Sequence, residues 1–176
     1  VTDLLVEASA GASVGYARLG ELEFRCALGS GGIVKDKVEG DGCTPAGRFP
    51  LRTLFYRPDR VRALTTALPS RPLSPADGWC DDIDDAAYNR LVALPYPARH
   101  ETLWREDHLY DLVLVIGHND DPAVPGKGSA IFLHLAHADY RPTEGCVAFS
   151  RADFMTLLAS LRPETMVAIA HKGERP

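Results

Sequence analysis

The chain has 176 residues, 45% apolar and 24% charged, with 19 basic against 24 acidic side chains and a formal charge of -5. That balance argues against a protein that grips nucleic acid through a general basic surface, and no window holds the roughly 18 consecutive apolar residues of a membrane span. Four cysteines are too few for a disulfide-dense scaffold, and the length predicts one domain over 1–176.

Near the start, Asp3 and Glu7 interrupt any apolar run before the Ala8-Ser9-Ala10 triplet, and there is no basic leader region, so this segment does not read as a signal peptide. The chain begins with Val1 and not Met, so a processed or trimmed form is expected and export stays open. Residues 1–7 suit an edge or first strand, and 10–21 a glycine-rich turn with a short apolar stretch. From Leu22, the alternation Leu22, Phe24, Cys26, Leu28 against Glu23 and Arg25 has the period of a half-buried strand. A further strand is predicted at 49–56 and a short helix at 58–68, with Val61, Leu64 and Leu68 on one side. Residues 69–89 read as mostly loop, with an acidic run at 81–85. Leu109–Ile116 is nearly all apolar and suits a strand covered on both faces. Ala130–Leu135 alternates, with Ile131, Leu133 and Leu135 on one face and Phe132 with His134 on the other. Ser150 is a candidate N-cap, with Asp153 at the third helical position and Phe154, Leu157, Leu158 and Leu161 at helical spacing before Pro163. A last strand is predicted at Thr165–Ala170. The sum is a mostly-β fold with one principal helix.

Most motif matches fail. Ala27–Gly32 has the wrong glycine spacing for a dinucleotide fingerprint, Gly126–Ser129 lacks the order of a phosphate loop, and no cysteine pair has knuckle spacing. What remains is a histidine closing an apolar strand, His134, and a cysteine following a glycine twelve residues later, Gly145-Cys146. A free thiol is only a few per cent ionised at neutral pH, and an adjacent imidazole can take its proton. Gly145 would give room for substrate and for main-chain amides to form an oxyanion hole. A buried, inert thiol is the alternative reading of Cys146.

The stretch around these residues resembles the L,D-transpeptidase catalytic domains of the YkuD type, in which a strand histidine precedes a Ser/Thr-His-Gly-Cys segment. The matching residues are His134, Thr143, Gly145 and Cys146. Lys37–Phe49, with Gly40-Asp41-Gly42-Cys43-Thr44-Pro45, resembles a second signature of that family, and Asp82 to Asn89 its middle region. The resemblance spans about 22–169. Glu144 stands where many members have His, and Ala148 where many have Asn or Arg; Thr-Glu-Gly-Cys in place of Ser-His-Gly-Cys resembles a subgroup.

The resemblance implies a β-sandwich-like domain with a packed helix, acting on bacterial cell-wall peptidoglycan or its muropeptide precursors in the periplasm or envelope, with the cytoplasm left open. The implied nucleophile is Cys146 and the implied base His134. Cys146 would attack the carbonyl before the terminal D-alanine of a tetrapeptide stem; a neighbouring amine would then give a 3–3 crosslink, or water an L,D-carboxypeptidase. No metal or organic cofactor is implied, and a monomer is expected. His118, at the end of the other apolar strand, is expected to line the same mouth, with Asn119 beside it. Thr143 would bind substrate or cap the turn, and Arg141 would offer a fork to a carboxylate. Two rival readings are a zinc site built from His118, His134 and Cys146 and a catalytically silent wall-binding module. Cys43 and Cys80, both in polar loops, are candidates for a disulfide.

Overall fold

The computed structural model describes residues 1–176. Fourteen strands and one helix follow in chain order: β1 (Leu4–Ala8), β2 (Val14–Leu19), β3 (Leu22–Ala27), β4 (Ile33–Val34), β5 (Thr44–Pro45), β6 (Gly47–Tyr56), β7 (Ser70–Pro72), β8 (Asp77–Cys80), β9 (Arg90–Ala93), β10 (His100–Thr102), β11 (Leu112–Ile116), β12 (Phe132–Leu135), β13 (Val147–Phe149), α1 (Arg151–Ser160) and β14 (Met166–His171). The fold is mostly β with one principal helix, as predicted. No helix is long and apolar enough to cross a membrane.

The main sheet runs β11-β12-β13-β3-β2-β1-β14-β6, and β6 then pairs with β11, so it closes on itself. The expected sandwich is therefore a barrel. The reason lies in β6, whose first residues, Gly47–Pro50, pair with β14 while Leu51–Tyr56 turn to β11, with a register shift between Leu114 and Ile116. One strand serving two partners along its length removes the open edge that a sandwich would leave. β7 adds to the outside of β6 in parallel. β1, read as an edge or first strand, lies inside the sheet between parallel β14 and antiparallel β2. The segment read as turn plus apolar stretch supplies β2, which a two-residue turn at Gly20-Glu21 joins to β3.

Period-two alternation divides the core. Leu112, Leu114, Ile116, Leu133 and Leu135 point into the barrel, where Phe154, Leu157 and Leu158 of α1 and its C-cap residue Leu161 join them. Ser150 caps that helix through its side-chain oxygen, which accepts from the Asp153 amide at 3.2 Å. Val113, Val115 and Phe132 point outward into a second cluster with Trp79, Leu103 and Cys146. That cluster is covered by a separate three-stranded sheet, β10-β8-β9, of which β8 lies within 69–89, read as mostly loop from the sequence, and β9 and β10 lie beyond it. Both faces of β11 are thus buried, as its apolar run predicts. The strand starts only at Leu112 because the buried Asp111 turns to Arg60 and Arg151, at 3.1 and 3.2 Å.

The predicted helix at 58–68 does not form. One turn closes at Arg57–Val61 through the Val61 amide and the Arg57 carbonyl, at 2.9 Å. Arg60 then donates to the carbonyls of Glu106 and Asp107, and the chain must return beside Leu54 to start β7. Val61 and Leu68 are still buried, so their spacing reports anchor points of an irregular crossover and not a helical face.

Candidate active site

β12 and β13 are neighbouring parallel strands, with Leu133 opposite Val147 and His134 opposite Ala148. Cys146 immediately precedes β13, so pleat alternation puts Cys146 and His134 on the same outer face, two residues apart along the strand direction. Both open on one cavity of about 770 Å³, at whose floor they are 8% and 6% exposed.

The imidazole is oriented by its own strand. Nδ1 of His134 lies 2.8 Å from the Leu135 carbonyl, and a carbonyl only accepts, so Nδ1 carries the proton and Nε2 presents the lone pair. Burial pushes this histidine down to about 4, so it is a neutral base at pH 7. The thiol is in its resting arrangement: Sγ donates to the Ala130 carbonyl at 3.2 Å and accepts from the Phe132 amide at 3.4 Å. Burial, then the negative charges of Glu101 and Glu144, push Cys146 up to about 12, against the Phe132 amide and Lys37. At rest the pair is thiol and neutral imidazole, not thiolate and imidazolium.

The Thr143–Cys146 turn is built for close approach. Thr143 Oγ1 accepts from the Gly145 amide at 3.1 Å and donates to the Cys146 carbonyl at 2.6 Å. Gly145 has φ +140°, and a Cβ there would sit 2.7 Å from the Cys43 carbonyl oxygen. Only glycine lets the two backbones meet. Because the Gly145 amide is engaged by Thr143, it is not a free oxyanion donor. Thr143 also bridges to Gly29, whose amide donates to the buried Thr44 Oγ1 at 2.9 Å. The two sequence signatures, 37–49 and 143–146, are therefore one packed unit.

The same unit brings Lys37 to the cavity wall, 6% exposed. Its ammonium hydrogen-bonds Asp41, which also accepts from the amides of Val38 and Cys43 at 2.9 and 2.8 Å. Burial raises the Asp41 carboxyl, but the Lys37 bond and these amides outweigh it and hold it below the usual range.

His118 is elsewhere. β11 and β12 are antiparallel, with Val113 opposite His134, so the ends of the two strands point in opposite directions. β11 ends at Ile116, and the chain turns there, the His118 amide donating to the Ile116 carbonyl at 2.9 Å, so His118 does not line the cavity. Its ring meets the edge of Phe49 at 5.3 Å, its Nδ1 is buried without a partner, and burial followed by the Lys37 charge pushes it down to about 4. Asn119 holds its own loop, donating to the carbonyls of Val124 and Gly128 at 3.0 and 2.8 Å. Arg141 lines the cavity with its fork on Asp139, at 3.1 and 3.2 Å. His118, His134 and Cys146 do not converge as the zinc reading requires, and no group of three or more His, Cys, Asp or Glu is placed to hold a metal ion. All four cysteines are free, so Cys43 and Cys80 are not joined.

Three residues of the site escaped the sequence reading. Glu101, the middle residue of β10, and Tyr110 both line the cavity, and the Tyr110 hydroxyl donates to Glu101. The Tyr110 ring meets the edge of His134 at 5.2 Å. Asn89, 5% exposed, accepts from the Trp79 indole and the Ala130 amide, both at 3.0 Å, and donates to the carbonyls of His118 and Asn119. It holds the amide of Ala130, the residue whose carbonyl accepts from the thiol. Asn89 lies inside the segment compared with the family's middle region; nothing in the local pattern marked Glu101 or Tyr110.

The closed barrel thus sets a thiol and an oriented neutral imidazole on one wall, beside an open cavity. The chain belongs to the YkuD family, described as the L,D-transpeptidase catalytic domain, which matches residues 7–169. No curated protein and no solved structure matches it.

Proposed function

We propose that this domain is a cysteine acyltransferase acting on peptidoglycan stem peptides, in the subgroup with Thr-Glu-Gly-Cys, with Cys146 as nucleophile and His134 as base. The observation that carries the reading is the same-face placement of Cys146 and His134 over one cavity, with His134 Nδ1 held by the Leu135 carbonyl. The free lone pair is then on the nitrogen available to the thiol.

In the first step Sγ leaves the Ala130 carbonyl and gives its proton to His134 Nε2 as sulfur attacks the carbonyl before the terminal D-alanine. The C–N bond breaks, the departing amine takes the proton from His134, and a thioester remains. An amine or water then attacks the thioester, His134 accepts its proton, and the thiol is restored. Cys146 is the nearest candidate to supply the oxyanion amide, since Gly145 donates to Thr143. Neutral histidine fits this sequence because the proton moves during attack and not before it.

Incubation with defined disaccharide-tetrapeptides, followed by mass analysis, tests the proposal. Crosslinked dimers identify a transpeptidase and tripeptides an L,D-carboxypeptidase. No thioester and no product with any stem peptide would refute the acyl-enzyme reading.

A further inference from the structure

Water and an amine place different demands on the second half of acyl transfer. Water has one proton to pass, through His134, to the departing sulfur. An alkylamine reaches the site as an ammonium and has two to lose: one before its nitrogen can attack, and one as the new amide forms. His134 can relay the second. For the first it is a poor acceptor, since burial pushes it down to about 4. An amine acceptor is therefore served by another base that reaches the same cavity.

Several carboxylates line that cavity. Asp41 and Asp81 are held by Lys37 and Arg99, Glu39 accepts from Tyr88 and Ser129, and Glu144 is exposed. Glu101 differs in three ways. After burial, it is the group that most opposes ionisation of Cys146. Its Oε1 accepts from Tyr110, whose ring meets the edge of His134 at 5.2 Å, and β10 is hydrogen-bonded to β8, so the carboxyl is held in place. Its Oε2 has no partner, and His118 Nδ1 is the sole sealed side-chain polar atom lacking one, so Oε2 opens to the cavity.

We propose that Glu101 is a second catalytic base, which takes the first proton of an amine acceptor and so directs the acyl-enzyme toward crosslinking and away from hydrolysis. This rests on the acyl-transfer reading above. Oε2 removes a proton from the ammonium, and the freed lone pair attacks the thioester carbonyl. The C–S bond breaks as the C–N bond forms. The second N–H proton passes through His134 to the sulfur and restores the thiol. Glu101 then releases its proton to solvent through the open cavity.

The charged and titratable groups facing Glu101 come from several elements: Tyr110 and Arg105 before β11, Asp81 after β8, and Glu144 with Cys146 before β13. Burial first, with Asp81 and Glu144, raises its carboxyl to about 7 against Tyr110 and Arg105. A base near 7 takes an ammonium proton about 10³-fold more readily than one near 4. The carboxylate is lost below about 7, so the share of acyl-enzyme that goes to amine rises as pH climbs through that value.

The test follows the partition of the acyl-enzyme formed from a disaccharide-tetrapeptide, by mass analysis of products, with methylamine or hydroxylamine added at pH 8. The two are similar in size, but methylamine is protonated there and hydroxylamine is not. Glu101→Gln keeps an oxygen for Tyr110. It should lower the ratios of methylamide to tripeptide and of crosslinked dimer to tripeptide by roughly 10²-fold, and leave the hydroxamate ratio unchanged. Tyr110→Phe keeps a ring against His134 and removes the hydroxyl that favours the carboxylate, so the pH at which the methylamide ratio rises should move up from about 7. Equal changes for the two amines, or none, overturn the proposal, as does a wild type that yields only tripeptide with every acceptor. If the thioester forms in wild type and variant while the amines behave alike, acyl transfer stands without a second base. If no stem peptide gives a thioester, acyl transfer and the second base fall together.

Discussion

The two ends of the β11–β12 pair carry a histidine each, and the comparison between them separates burial from function. His118 and His134 both close apolar strands, and both are pushed down to about 4 mainly by burial. At one end, Nδ1–H donates to the Leu135 carbonyl and the ring faces a cavity with Cys146. At the other, Nδ1 is sealed with no partner and the ring is wedged against Phe49. A lowered pKa is common to both, so it does not distinguish a base from a packed ring; an oriented proton and an open approach do.

The sharpest way to break the comparison is to remove the groups at the His134 end. Cys146→Ala is expected to abolish turnover, and His134→Ala to reduce it by roughly 10²–10⁴-fold with the circular dichroism spectrum unchanged. His118→Ala should stay within about two-fold of wild type. Comparable losses in the two histidine variants would mean that the ends are functionally equivalent, against the antiparallel register.

Gly145→Ala tests whether the reactive end depends on close backbone contact. The φ of +140° and the 2.7 Å approach to the Cys43 carbonyl predict a loss of about 2–4 kcal/mol, read as a lowered midpoint in urea. A midpoint equal to wild type would show that the turn and the 37–49 segment are not locked together.

Acid titration treats the two ends alike. Each histidine has a folded pKa of about 4 against roughly 6.5 unfolded. The unfolded chain therefore binds more protons between those values, and stability is present above about 6.5 and falls as pH drops through about 4. The loss is of order 3 kcal/mol per histidine. Urea midpoints at pH 7, 5.5 and 4.5 read it, and a flat profile would contradict the burial of both rings. Alkylation of Cys146 should rise steadily up to pH 9.5 with no plateau near neutrality, because its thiol is pushed up to about 12. A plateau at pH 6–7 would indicate a resting thiolate.

The smallest expected effect is at the silent end. His118→Phe keeps an aromatic ring against Phe49 and removes the orphaned Nδ1. A gain of about 1 kcal/mol is expected, measured as a raised melting temperature. A loss would mean that a water or neighbouring group satisfies that nitrogen.

Much of the barrel wall was legible from local chemistry. The alternation at Leu22–Leu28 and Ala130–Leu135 marks β3 and β12 with the correct faces, and Ser150 with Asp153 marks the start of α1. These are short-range effects of pleat, helix period and capping, so the residues concerned carry them wherever the chain goes. Cys146 and His134 were marked as candidates by motif chemistry and resemblance, being twelve positions apart, and the fold sets both on one cavity.

Pairing partners are not written locally. Whether two strands run parallel or antiparallel depends on how the intervening chain crosses, and that choice brought His134 to Cys146 while sending His118 away. The barrel's closure through β6, the burial of Lys37 in the wall of the same cavity and the arrival of Glu101 from a separate small sheet are likewise long-range effects. Side-chain identity settled which chemistry was available. Register and strand direction settled which groups share a cavity, because a polar residue acquires a task only from what the fold sets within a few ångströms of it.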